Sequence, residues 1–489
     1  MADDTRPLAD VLLDACARHG ERTAVVDDGT ALTYTALADR IRERAAGLDR
    51  LLGPGEDRIA VHAANSAEYL VTYYALLRTG RLPFLVDAQF GAAELDGIRT
   101  GCGVGTFLTD RPAAFPLPGT PQELPGSSLT LVRADGGAPE DAPAPRPTTA
   151  TCRFTSGTTG APKALEFSHT AVHSAARNWV TGTGLTADDR VLCMAAFTNG
   201  LAFNTSLLPV FLVGAELHLY RGLPTSGGIT RAARRSNATR LVAFPLAYRL
   251  LAEAPEADTG AFAGLTRAVS AAAVLAPEVR TGFESRYGVR IADYYGIAET
   301  GPVTYERDPG HPTGLGTPLP GAELRIVPDE HGEPEVRVRT ASMAGGYLNL
   351  PGGLEERLDD EGFYRTGDRG RIEDGRLHIT GRLGGPINLA GRKVDPAEIE
   401  KVVLTLDGIT DSVLFADEDT RGETVLHLVL AGSREPTRGE VVGVCRRHLA
   451  PYKVPGRITF LGAIPRSSAG KVRLTELRQI VQDTARGRA

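Results

Sequence analysis

The chain lacks any apolar run of membrane-spanning length, and it opens on Met1-Ala2-Asp3-Asp4-Thr5, which is too acidic for a signal peptide. Both absences predict a cytoplasmic protein with no membrane insertion. Cysteine is sparse: Cys16, Cys102, Cys152, Cys193 and Cys445 are scattered and form no CxxC pair. That argues against structural zinc and for reduced thiols, with Cys152 read as a buried apolar thiol rather than a nucleophile. There is no excess of one charge either. The net charge is −6 over 489 residues with the signs interspersed, so no electrostatic footprint for nucleic acid exists. No internal repeat is found. What is present is a globular composition, 42% apolar and 23% charged, in a chain too long for one core, so two or more domains are expected.

Strand and helix patterns alternate along most of the chain. Leu8, Val11, Leu12 and Ala15 share a helical face, Ala24-Val25-Val26 reads as a strand, and a helix carries Leu37, Ile41 and Ala45. Strands at 59–62 and 84–86 flank a helix with Tyr69, Leu70, Tyr73 and Leu76. Residues 111–126 and 133–149 are rich in Pro, Gly and Ala and read as surface loops. Strands at 151–154, 191–194, 216–219, 241–244 and 268–270 follow, with helices predicted from near Ser168, over Leu201 to Val213, and from Pro277 to Tyr287. This rhythm implies an open parallel α/β sheet. From Gly316 the texture becomes short strands and turns, predicting a small antiparallel barrel. Gly384-Gly385 marks a boundary, and residues 386–489 read as a compact, mobile α+β domain with helices at Pro396–Leu406 and 437–450.

The stretch Thr155-Ser156-Gly157-Thr158-Thr159-Gly160-Ala161-Pro162-Lys163 follows a predicted strand and precedes a predicted helix. Its hydroxyls supply donors, its glycines allow backbone N–H groups close to an anion, and Lys163 adds positive charge. It is not a GxxxxGK[ST] loop, since neither Ser nor Thr follows the lysine. Alone it reads equally as a polyphosphate grip or as a Ser/Thr/Gly surface loop.

Four further segments decide between these readings. They are Asp293-Tyr294-Tyr295-Gly296-Ile297-Ala298-Glu299-Thr300-Gly301, Tyr364-Arg365-Thr366-Gly367-Asp368, Gly381-Arg382 with Gly391-Arg392-Lys393-Val394-Asp395-Pro396 behind it, and Pro465-Arg466-Ser467-Ser468-Ala469-Gly470-Lys471. In this order the chain, from about Leu8 to about residue 480, resembles the adenylate-forming superfamily of acyl- and aryl-CoA synthetases, peptide-synthetase adenylation domains and luciferases. The resemblance implies a large N-terminal α/β domain of two subdomains plus a small β-barrel over residues 1–382, a hinge at 383–385, and a mobile α+β domain at 386–489. It implies condensation of a carboxylic acid with the α-phosphate of ATP and release of pyrophosphate, then transfer to CoA or a carrier protein's phosphopantetheine thiol. By the same resemblance Thr155, Ser156, Gly157, Thr158, Thr159, Gly160 and Lys163 hold the β/γ-phosphates. Tyr295 stacks on adenine, Glu299 holds Mg²⁺, Asp368 takes the ribose hydroxyls with help from Arg382, and Lys471 is catalytic. Tyr294 reads as a core aromatic and His169 as structural.

Departures from the family pattern bear on substrate and acceptor. Ala298 stands where a threonine is usual, with Thr300 a possible substitute; Ala164 and Glu166 follow Lys163; Gly384 takes the hinge position; and Pro386-Ile387-Asn388-Leu389-Ala390 carries no charge. An alternative is therefore open, an adenylate-forming enzyme with a non-thiol acceptor, making an amide or activating nitrite. Candidates for the acid pocket are Phe197, Thr198, Asn199, Gly200, Ser270, Ala271, Ala272 and Ile297. Asn199 in place of an aspartate argues against an ordinary α-amino acid and for an aryl or modified acid. A stand-alone enzyme, serving CoA or a carrier in trans, is expected.

Overall fold

The computed structural model describes residues 5–155, 162–256, 258–273, 275–308, 314–328, 334–382, 387–389, 392–418, 423–465, 472 and 474–487. Backbone packing divides the chain into two compact units, one drawn from Met1–Ala88, Ile98–Thr155 and Lys163–Gly385, the other centred on Pro386–Ala489.

The first unit holds two large mixed sheets. One runs in the order Thr317–Pro318, Gly301–Tyr305, Ile291–Ile297, Arg267–Ala271, Arg240–Ala243, Arg190–Cys193, Glu216–Leu219, Thr23–Asp27, Thr30–Thr33. Its interior pairings are parallel and its two edges antiparallel. The other runs Gly346–Tyr347, Lys163–Ser168, Thr149–Thr155, Leu82–Val86, Arg58–His62, Thr106–Thr109, Thr130–Ala134, Gly119–Glu123. Helices start where the sequence offers caps. The side chains of Thr33, Ser66 and Ser168 accept the N–H groups of Ala36, Tyr69 and Ala171, opening Tyr34–Leu51, Ala67–Arg78 and His169–Thr183. Their apolar faces and the buried strands between them form one core that includes Tyr34, Leu70, Leu85 and Trp179.

Three local expectations are corrected. The stretch 111–126, expected as a loop, contains the strand Gly119–Glu123, which pairs with Thr130–Ala134; this edge strand is almost wholly exposed, so it carries no apolar alternation to read. The single helix expected from Leu201 to Val213 is two, Gly200–Thr205 and Pro209–Val213. Pro209 has no N–H to continue the first helix and instead starts the second. The helix expected over Pro396–Leu406 closes at Val403. The antiparallel region forms a four-stranded sheet in the order Ala322–Pro328, Pro334–Thr340, Tyr364–Glu373, Arg376–Arg382.

In the second unit, Ile409–Glu418, Thr424–Gly432 and Arg457–Leu461 form a sheet, with the helices Pro396–Val403, Arg438–His448 and Leu474–Gly487. A capping box between Thr437 and Glu440 begins the second helix. Among the described residues no helix is long and apolar enough to cross a membrane.

This unit also buries Lys453 and Glu398, whose Nζ donates to Oε1 at 2.7 Å. Burial pushes the Glu398 carboxyl from its ordinary 4.5 up to about 7, with Lys453 opposing the rise. The folded chain thus holds this proton more tightly than the unfolded chain, and stability declines as pH rises from 4.5 through about 7. Glu398→Gln should flatten that decline in thermal unfolding followed across the same window; an unchanged slope would contradict the assignment.

Candidate active site

The hydroxyl- and glycine-rich stretch lies between two antiparallel strands. Thr149–Thr155 and Lys163–Ser168 pair with Thr155 opposite Lys163. This corrects the expected strand-to-helix turn, because the helix begins only after the second strand, at His169. Ser156, Gly157, Thr158, Thr159 and Gly160 lie outside the described residues. The second strand is hard to read because its four central residues, Ala164 to Phe167, are all buried, one of them a glutamate. Glu166 is satisfied there by the Arg146 backbone N–H at 2.7 Å, the Arg146 guanidinium and the Thr149 hydroxyl at 2.7 Å. Glu166, one of the departures noted beyond Lys163, is thus a structural anchor. His169 is structural too: its Nδ1 accepts the Leu8 N–H at 3.1 Å.

Two carboxylates lie on neighbouring parts of the same unit. The strands Ile291–Ile297 and Gly301–Tyr305 form an antiparallel pair whose close approach needs Gly296, where a Cβ would stand 2.4 Å from the Gly301 carbonyl oxygen. Strand alternation sends the two tyrosines of the first strand to different places. Tyr294 is buried, its ring 5.0 Å from that of Trp179 and its hydroxyl accepting from Asn204 Nδ2 at 3.1 Å; burial pushes the phenol up to about 12. It is a core residue, as its neighbours dictate. Tyr295 instead donates its hydroxyl to Asp368 Oδ2 at 2.6 Å. Asp368 is 5% exposed, its N–H bonds to the Thr366 hydroxyl at 3.0 Å, and its backbone lies opposite Arg382. Tyr295, Asp368 and the backbone of Arg382 are therefore brought together; the Arg382 side chain and Lys471 lie outside the described residues, as does the segment 383–386.

Glu299 is 8% exposed and accepts the Tyr347 hydroxyl on Oε1 at 2.8 Å. The Tyr347 ring in turn lies 6.0 Å from Lys163 Nζ, and its backbone pairs with Leu165. Burial, then the neighbouring Glu299 charge, raises the Tyr347 phenol far above its usual range, so it stays a donor. Tyr347 links Glu299 to Lys163, and sequence reading missed it; its cue is a tyrosine directly after a Gly-Gly pair. Thr300 does not replace the absent threonine hydroxyl, since it is fully buried beside the Gly301 carbonyl.

The pocket candidates are more mixed. Phe197 is fully buried, its N–H held by Asn65 Oδ1 at 2.8 Å and its ring 5.5 Å from Tyr69. Asn199 caps the helix Gly200–Thr205, its Oδ1 accepting the Leu201 N–H at 2.8 Å. Ala271 and Ile297 are buried at the C-terminal ends of neighbouring, paired strands, and Ala272 has φ +69°. A left-handed alanine is held there by its surroundings at some cost, as happens where a backbone is shaped around a site.

A divalent cation suits Glu299, a hard oxygen donor beside a cationic lysine that suits phosphate. Among the described residues no cluster of three His, Cys, Asp or Glu side chains could hold a metal. A single carboxylate such as Glu299 suits Mg²⁺, which takes its remaining ligands from phosphate oxygens and water.

A family model described as AMP-binding enzyme matches residues 12–348, and one described as AMP-binding enzyme C-terminal domain matches residues 398–471. Triostin synthetase I of Streptomyces triostinicus is 31% identical, over 98% of this chain and 95% of its own curated length. A methyl-dioxo-octahydro-indenyl-propanoyl:CoA ligase of Mycobacterium tuberculosis is 29% identical, over 98% of this chain and 100% of its own. Among solved structures, a double mutant of o-succinylbenzoate CoA synthetase from Bacillus subtilis shares the fold, with a TM-score of 0.83, 20% identity and coverage of 97% and 98% of the two chains.

The Tyr347–Glu299 bond is open to a stability test. Tyr347→Phe leaves a buried carboxylate short of a donor and should cost roughly 1–3 kcal/mol of unfolding free energy in a denaturant titration. No measurable loss would mean that Glu299 is satisfied without it. By the match of both family models and the placement of these carboxylates, the chain belongs to the AMP-binding enzymes of the adenylate-forming superfamily and is an enzyme of the AMP-forming ligase kind.

Proposed function

We propose that the protein activates a carboxylic acid with ATP as an acyl-adenylate, releases pyrophosphate, and transfers the acyl group to the thiol of CoA or of a carrier protein's phosphopantetheine. The observation that carries this reading is the pair of buried carboxylates, each held by a phenol: Glu299, within the residues 12–348 that match the AMP-binding model, and Asp368, in the same compact unit. Asp368 is a charged acceptor suited to two ribose hydroxyls, and Tyr295, bonded to it, presents its ring beside them. Glu299 would hold Mg²⁺, a charge that, with the Lys163 ammonium and the hydroxyl and backbone donors of the stretch 155–160, would offset the negative charge gathering on the phosphate oxygens. Lys471, at the last residue of the C-terminal match, neutralises the reacting carboxylate and bridging oxygen. Residues 383–385 are the hinge of the segment 386–489 in this reading.

Curated relatives support a thiol acceptor, since several are named CoA ligases or synthases, among them a feruloyl-CoA synthase of Amycolatopsis at 27% identity. That relative also supports an aryl or modified acid. Asn199, with Oδ1 committed to its helix, offers no carboxylate to an α-amino group, in keeping with a substrate other than an ordinary amino acid.

The test is ATP–pyrophosphate exchange over a panel of aryl, fatty, dicarboxylic and amino acids. Exchange is expected with some acid, and Lys471→Ala should lower it by at least about 100-fold. A panel without exchange, together with no effect of Lys471→Ala on ATP consumption, would overturn the reading.

A further inference from the structure

Arg153 is the largest of the side chains that the fold buries completely, with 2% of its surface exposed. It sits on the strand leading into the Thr155–Lys163 stretch and takes no part in the account above. Its guanidinium carbon lies 4.3 Å from the ring centroid of Phe203 and 4.8 Å from that of Phe167. Nη2 donates to the Ala298 carbonyl at 3.2 Å, and Nε is buried with no partner. Among the described residues neither a hydrogen bond to Nη1 nor a carboxylate within ion-pair distance accompanies it. This is an expensive arrangement. Buried charges are paired, and arginine stays protonated even though burial lowers this one to about 10. Two aromatic faces, one carbonyl and the more distant charge of Glu299 offset part of the cost, but no described carboxylate pairs directly with the guanidinium.

The position of the charge gives it a purpose. The Arg153 guanidinium reaches Ala298, between Ile297 and Glu299, and it also faces Gly200, where a Cβ would stand 3.3 Å from Nη1 and 3.9 Å from Nη2. Gly200 and Ile297 are both acid-pocket candidates, and the absence of a side chain at Gly200 leaves the Nη1 edge uncovered. Asn204 Nδ2, which also donates to the Tyr294 hydroxyl, lies 3.9 Å from the same point, so donor groups converge on it.

We propose that Arg153 binds a second carboxylate on the acid substrate, so that the enzyme activates one end of a dicarboxylic acid while the guanidinium holds the other. The proposal rests on the adenylation reading of the site and narrows its substrate class. The second carboxylate completes the ion pair that the fold leaves unmade, in a forked geometry that arginine favours. A monocarboxylate of the same length would leave the charge unpaired and place a methyl group against it.

The experiment measures kcat/KM for ATP–pyrophosphate exchange with matched pairs: malonate through suberate against monocarboxylates of equal length, and phthalate and its isomers against benzoate. For the best dicarboxylate, its ratio to its partner is expected to exceed about 100 in the wild-type enzyme, the size set by an unpaired buried charge. Arg153→Met should bring that ratio to near one, and Arg153→Lys should restore part of it. Mg·ATP calorimetry on each variant reports whether the nucleotide site is still folded. Where Arg153→Met fails that control, Gly200→Val, which sets methyls against Nη1, should give the same fall in the ratio. Two results would overturn the proposal: a wild-type preference for monocarboxylates, or a ratio that the substitutions leave unchanged. Exchange with monocarboxylates alone removes the role of Arg153 and leaves adenylation standing, whereas no exchange with any acid removes both.

Discussion

A buried carboxylate has to be given donors, and in this protein two of them are given phenols. Tyr295 donates to Asp368 and Tyr347 donates to Glu299, with both carboxylates more than nine-tenths buried. Each bond joins parts of the chain far apart in sequence, Tyr295 to Asp368 and Tyr347 to Glu299. Removing either phenol takes a charge-assisted hydrogen bond from a buried carboxylate, worth about 1.5–3 kcal/mol. The geometry around the motif Asp293–Gly301 follows from that constraint: the strand must end where Tyr295 reaches the four-stranded sheet, and Glu299 must turn inward toward Tyr347.

A phenol is a suitable partner because it is a donor that burial makes harder to ionise. Tyr347 is pushed upward by burial and by Glu299, so the proton stays on the phenol and the negative charge stays on the carboxylate. A carboxylate held in this way keeps further lone pairs for a metal ion or a ribose hydroxyl. The same unit pairs its buried Arg44 and Arg240 with Glu68 and Asp189 but handles Arg153 differently: among the described residues it has aromatic faces and one carbonyl but no carboxylate within ion-pair distance. In the proposed reading, the contrast between the well-supplied anions and the undersupplied cation separates the parts of the site assigned to ATP from the part assigned to the acid.

Much of this was legible in the sequence. The alternation of strands and helices gave the parallel sheets, and the helix Pro277–Tyr287 has the bounds its proline predicts. Tyr294 as a core residue followed from its apolar company, and the ordered motifs identified the superfamily that the family models match. The misses have physical causes. The strand Gly119–Glu123 is an exposed edge with no apolar period, and the strand Lys163–Ser168 hides a buried glutamate that only a distant arginine makes tolerable. Tyr347 belongs to no run of motif residues, and its role exists only because a two-residue strand pairs with Leu165. Arg153 reads in sequence as an ordinary strand residue, since a lone arginine gives no sign of whether its charge is paired.

The central claim is that the buried carboxylates of the first unit form a nucleotide site. Calorimetric titration of AMP into the folded wild-type protein and the Asp368→Ala variant tests it most directly. The account predicts binding to the wild type and an affinity lower by roughly 100-fold in the variant, the value of two hydroxyl bonds to a charged acceptor. Equal affinity in the two proteins would contradict it.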